Sequence, residues 1–175
     1  SDATHDAIVW GGTKKEQTKR KKANDPKLKI PISSELGCVT PVMVVPGPFS
    51  DFEMTYHARH VASMISHTGS FNCNAAKVLV TAKGWPQEQE FLRRVRAEIC
   101  RTPPRKAYYP GAQDRYKGFL EAYPNAEVLG VGGEDIVPWT LIPDVAPEQG
   151  EYALTNEAFC GVLAHVSIDA KDAPD

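Results

Sequence analysis

The sequence predicts an α/β fold with a mostly parallel sheet flanked by helices, and two observations carry that expectation. Short apolar, β-branched runs recur at "PVMVV", "KVLVT", "WTLIPDV" and "GVLAHVSI". Amphipathic helical stretches stand among them, with apolar residues at three- and four-residue steps.

The elements follow in order. Residues 3 to 29 look helical at first and then polar, with Ala7, Ile8 and Trp10 as packing positions. The run from Lys14 to Lys29 carries seven lysines and Arg20, and reads as a solvated helix end and loop. A phosphate-binding patch is the sharper alternative. No aromatic residue interleaves with the charges, which argues against a nucleic-acid stacking platform. "KIPISSELG" reads as an extended segment with a turn at Gly37, and Pro41 to Val45 as a short apolar strand. Ser50 or Asp51 is a fitting N-cap for a helix over about 52–66, with Glu53 in its first turn. Ala58, Val61, Ala62 and Ile65 form its apolar face, and Gly69 ends it. A cysteine loop and the strand "KVLVT" come next.

"PQEQEFLRRVRAEIC" places Pro86 in a first helical turn, where its missing N–H does no harm. Phe91, Leu92, Val95 and Ile99 are its buried stripe. A third helix spans roughly Gln113 to Tyr123 with Tyr116, Phe119, Leu120 and Tyr123 on one face. "GVGGED" lacks the spacing of a phosphate loop and reads as a turn. The tail "DAKDAPD" is acidic and reads as loose.

With 175 residues, 42% hydrophobic and 24% charged, the chain suits one domain with a core or a piece of something larger. A formal net charge of −2 gives no global attraction to nucleic acid or acidic membranes. No apolar run reaches the roughly 18 residues of a membrane span. The N-terminus has no signal-peptide pattern and no initiator Met, so the chain reads as processed, excised or engineered. Cys38, Cys73, Cys100 and Cys160 form no C-x-x-C pair, which fits reduced thiols and a cytoplasmic location. His57 and His60 share a helical face, but a third metal ligand would have to come from elsewhere, and exposed or hydrogen-bonded histidines are the simpler reading.

Cys73 stands in "GSFNCNAAK", between a helix end and a strand, in polar company. A lone cysteine is usually a small hydrophobe. Here an exposed loop is held by rigid elements, and neighbouring N–H groups and Asn side chains are available to a developing oxyanion. Glu35 in "SSELG" and Glu157 in "TNEAFCG" are single acids among small or apolar residues; each alone reads as a turn-stabilising carboxylate.

Together, "SELGCVTPV", "GSFNCNAAKV" and "TNEAFCGVLAHV" resemble, in order, three signatures of the aldehyde dehydrogenase superfamily. Glu35, Leu36, Gly37 and Pro41 match the first, Cys73 the second, and Glu157 and Phe159 the third. Cys38 replaces a usual Gly, the Gly69–Cys73 loop is one residue longer, and Cys160-Gly161 replaces Gly-Pro, which marks a divergent member.

The resemblance implies oxidation of an aldehyde to a carboxylic acid, with NAD or NADP as acceptor, through a cysteine thioester. It implies Cys73 as nucleophile, Glu35 as general base, and Leu36, Glu157 and Phe159 as cofactor contacts. Residues 1–37 would be the C-terminal remnant of a cofactor-binding domain and residues 38–175 a truncated catalytic domain. The expected partner is a small-molecule aldehyde, with no nucleic acid and no membrane, and the full-length protein would be a homo-oligomer. The fragment alone is expected to be inactive. A non-catalytic module that keeps the fold is the alternative. An acyl-transferring relative using coenzyme A is a third reading, against which Glu35 stands.

Overall fold

Four strands of one five-stranded sheet run parallel, and this fixes where the loops gather. The computed structural model describes residues 2–169. The acidic tail expected to be loose lies, apart from Asp169, outside the described residues. The chain divides into two compact units after Cys38.

The first unit holds helices α1 (Asp2–Val9) and α2 (Lys14–Lys22). The lysine run thus forms a helix of its own over Lys14–Lys22, while Lys27 and Lys29 lie in the loop after it. Thr13 caps it by accepting from the Glu16 N–H. Basic residues crowd its last turn, where the helix dipole favours them. Lys21 pairs with Asp6 at 2.6 Å, and Arg20 with Glu16 and Asp25. After α2 the backbone folds back, with Lys27 N–H donating to the Val9 carbonyl at 2.7 Å. Residues 31–38 form no regular element, and the turn expected at Gly37 is absent.

The second unit carries β1 (Pro41–Met43), α3 (Asp51–Ser66), β2 (Val78–Ala82), α4 (Glu88–Arg101), α5 (Ala112–Ala122), β3 (Glu127–Val128), β4 (Thr140–Ile142), α6 (Tyr152–Thr155) and β5 (Val162–Ile168). The sheet order is β1-β2-β5-β4-β3, with only β3 antiparallel. Side-chain alternation splits the core. Leu79, Leu141 and Leu163 face α3 and α4, where the Ala58–Ile65 and Phe91–Ile99 stripes are buried as their periodicity requires. Val78, Ile142, Val162, Ala164 and Val166 face the other way, toward Tyr116 and Phe119 of α5 and Ala153 of α6. Each buried leucine, isoleucine or valine among them contributes about 1.5–3 kcal/mol.

Ser50 caps α3 in a full capping box with Glu53. A short 3-10 turn, His67–Ser70, carries the chain past the end of α3, with Gly69 left-handed as its position in the sequence predicts. Pro86 lies in the turn before α4, not in its first helical turn. Gln87, the residue between them, instead brackets Phe49, accepting from its N–H at 2.9 Å and donating to its carbonyl at 2.8 Å. The first strand is shorter than expected and lies at the sheet edge, with Met43 70% exposed. Residues 133–136 close a tight turn through paired Gly133 and Ile136 bonds.

Candidate active site

Because β1, β2, β5 and β4 are parallel, the segments that enter them gather at one end of the sheet, where these strands begin. Cys73 is in the segment entering β2, and Phe159 and Cys160 in the one entering β5. Hydrogen bonds and rings stitch the segments together. Thr40, just before β1, donates from Oγ1 to the Cys73 carbonyl. Phe71, two residues before Cys73, stands 6.3 Å from the Phe159 ring, edge to face. Thr140 N–H of β4 donates to the Gly161 carbonyl at 2.8 Å.

Cys73 sits at the tip of a turn and is exposed. Its Sγ lies 3.8 Å from Asn74 Oδ1. The approach is unusual: Thr68, Gly69 and Ser70 are all left-handed, with φ of 50°, 66° and 69°. For Thr and Ser that conformation costs on the order of 1–2 kcal/mol each. Such strain persists only where the surroundings hold it. Among the described residues no acceptor takes the Cys73 backbone N–H, which leaves it available to an oxyanion.

The Asn side chains divide. The Asn72 amide, expected to help an oxyanion, folds back on α3 instead. Its Nδ2 meets His67 Nδ1 and the His67 carbonyl at 3.0 Å each, and also Thr68 Oγ1. These contacts consume its donors, so the amide is a clamp for the helix end.

Glu157 is half-buried, and its Oε1 is buried with no hydrogen-bond partner. A buried carboxylate oxygen left unpaired is costly, and it is the acceptor that a ligand hydroxyl would satisfy. Phe159 is left-handed at φ 43°. It lies against Tyr109 at 4.7 Å, while Phe71 meets Tyr108 at 4.9 Å, so four aromatic rings gather at this end of the sheet.

Two residues that sequence reasoning missed hold these segments. Arg115 on α5 donates to the Ala158, Phe159 and Pro110 carbonyls at 2.9, 3.2 and 3.1 Å. Lys77 reaches back beneath the cysteine turn to Ser70. Neither left a mark in the sequence: Arg115 lies amid the polar residues of α5, and Lys77 looks like a solvated residue at a strand entrance.

The four thiols separate by setting. Burial pushes Cys160 up to about 11, against the opposing pull of Arg115 and Lys77, so it is a poor nucleophile at neutral pH. Cys38, Cys73 and Cys100 are exposed. Glu35 and Leu36 lie in the first unit, both exposed, in its irregular C-terminal segment. Cys73, Glu157 and Phe159 all lie in the second unit, with Cys73 and Phe159 linked through Phe71. His57 rests on Phe49 and Tyr56, and no group of metal ligands forms among the described residues.

No family profile and no curated protein matches the chain. Solved structures do. An indole-3-acetaldehyde dehydrogenase complexed with NAD+ superimposes with TM-score 0.62 at 18% identity, over 78% of this chain and 30% of that one. The NADP-dependent glyceraldehyde-3-phosphate dehydrogenase of Bacillus halodurans C-125, complexed with NADP, gives 0.67 at 15% identity, over 87% and 33%. The aldehyde dehydrogenase KauB of Pseudomonas aeruginosa gives 0.62 at 18%, over 78% and 30%. The chain therefore spans about a third of the length of these enzymes. Over that span it has the fold of a portion of the aldehyde dehydrogenases.

Proposed function

We propose that this chain is the catalytic portion of an NAD- or NADP-dependent enzyme that oxidises an aldehyde to a carboxylic acid. The observation that carries it is the meeting, at the end of the sheet where β2 and β5 begin, of an exposed cysteine turn with the Glu157–Phe159 segment. In this reading residues 1–37 belong with a cofactor-binding domain and residues 38–175 with the catalytic domain. The full-length protein is a cytoplasmic homo-oligomer.

Each residue has a task. Cys73, as thiolate, adds to the aldehyde carbon, forming a C–S bond while the carbonyl electrons move to oxygen. The Cys73 N–H donates to that oxyanion. Bound NAD or NADP would supply the hydride acceptor that this oxidation needs, and loss of the hydride would leave a thioester on Cys73. Glu35 takes a proton from water, whose oxygen adds to the thioester; the acid departs and the thiolate is restored. Glu157 would accept from a ribose hydroxyl of the nucleotide, for which its unpaired buried Oε1 is suited. Phe159 would hold the nicotinamide ring, and the Leu36 backbone its carboxamide.

Limiting iodoacetamide at neutral pH, followed by peptide mapping, tests the reading. It expects Cys73 to be labelled ahead of Cys38 and Cys100. Equal labelling favours a non-catalytic module with this fold. In the same reading, the 175-residue chain alone yields no NAD(P)H with aldehyde and nucleotide; robust production would contradict that.

A further inference from the structure

Lys77 is an odd residue to find where it is. It is 3% exposed, and Ser70, which it meets, has no exposure at all. Its Nζ donates to the Ser70 carbonyl at 3.0 Å and to Ser70 Oγ at 2.8 Å. A buried ammonium is tolerated only where its N–H groups find acceptors, and Ser70 supplies two.

A lysine at hydrogen-bond distance from a serine also describes a nucleophile with its base. Burial excludes that role here, since no substrate reaches Ser70 Oγ. The hydroxyl serves the ammonium instead.

What Lys77 holds is the end of the left-handed run at Thr68, Gly69 and Ser70, three residues before Cys73. Lys77 is itself fixed to the sheet on both sides. Its N–H donates to the Thr40 carbonyl at 2.9 Å, before β1, and its carbonyl accepts from Ala164 N–H of β5 at 2.9 Å. Thr40 in turn bonds the Cys73 carbonyl. The cysteine turn is thus tied at both ends, by Lys77 on one side and Thr40 on the other, to the same point of the sheet.

We propose that Lys77 is the positioning residue of this site: its ammonium holds Ser70 and so fixes how the turn presents the Cys73 thiol. The proposal rests on Cys73 being the nucleophile. It assigns Lys77 no contact with substrate or cofactor.

The test compares wild type, K77M, K77R and S70A as the full 175-residue chain, with folding verified by circular dichroism. Each is treated with limiting iodoacetamide, and labelling of Cys73 is measured relative to exposed Cys100 in the same sample. The expectation is that K77M lowers this ratio about tenfold, as misplacement of a reacting group does. K77R, which keeps a buried donor, restores most of it. Should K77M fail to fold, S70A removes only the hydroxyl acceptor and is expected to lower the ratio by a smaller factor. Preferential Cys73 labelling that survives a folded K77M, or S70A where K77M does not fold, overturns the role of Lys77 alone. A wild-type chain with no preference for Cys73 overturns the nucleophile reading, and this proposal with it.

Discussion

The Arg115 guanidinium carbon lies 5.8 Å from the centre of the Phe159 ring while its NH2 group donates to the Phe159 carbonyl at 3.2 Å. One side chain thus grips both the backbone and the ring of a residue held at φ 43°. With the bonds to Ala158 and Pro110, it ties α5 to the segment that enters β5.

Arg115→Ala is therefore expected to destabilise the fold by about 2 kcal/mol, since charged donors to partly buried carbonyls are lost together. Arg115→Lys recovers only part, because an ammonium cannot reproduce the planar fork. Urea denaturation measures both. A midpoint unchanged in Arg115→Ala would remove Arg115 from the account.

Gly161 precedes β5 where any side chain would collide. A Cβ there would stand 2.6 Å from Trp139 Cε3, and Trp139 is itself buried. Gly161→Ala is expected to cost about 1–3 kcal/mol through overpacking. Thermal melting checks this, and tryptophan fluorescence would report the displaced indole. An unshifted melt would mean that Trp139 has room to move.

His165 gives the protein a pH signature. It is buried on β5, with Nε2 2.8 Å from Thr81 Oγ1 and Nδ1 unpaired. Thr81 gives its one hydroxyl proton to Glu88, so His165 Nε2–H must be the donor in that pair. Burial holds its pKa below the usual histidine value, outweighing the nearby Glu88 and Asp144 carboxylates. The unfolded chain then binds the proton more readily than the folded one. Stability is full above the unfolded value of about 6.5 and falls as pH drops below it. Urea midpoints at about pH 7.5 and about pH 5.5 should differ in wild type and converge in His165→Gln. Equal sensitivity in the two proteins would place the titration elsewhere.

Cys160 should behave as a core residue. It is buried, and its thiol is pushed up to about 11. Native protein is expected to leave it unlabelled by a thiol reagent, and urea-unfolded protein to label it as readily as Cys100. Fast native labelling of Cys160 would show that the segment entering β5 opens.

Much of this fold was legible in the sequence because periodicity reports burial directly. The stripes Ala58–Ile65 and Phe91–Ile99 lie under the sheet as their spacing requires. The two-residue strand β3 and the four-residue helix α6 escaped notice, since neither is long enough to show a period. The candidate site was read from three short motifs, and of these the structure brings the cysteine turn and the Phe159 segment together. Lys77 and Arg115 stayed hidden because their roles depend on partners distant in sequence or on burial, and a charged residue defaults to solvent in any local reading. Asn72 misled for a related reason: a polar neighbour of a cysteine looks available until its amide is seen bonded to His67.

The central claim is that Cys73 carries the acyl group. Acylation by an activated ester such as p-nitrophenyl acetate tests it without a nucleotide. After brief treatment, acid quench and peptide mapping, the account predicts acetyl as a thioester on Cys73, with Cys38, Cys100 and Cys160 unmodified. Acetyl spread evenly over the exposed thiols, or missing from Cys73, would contradict it.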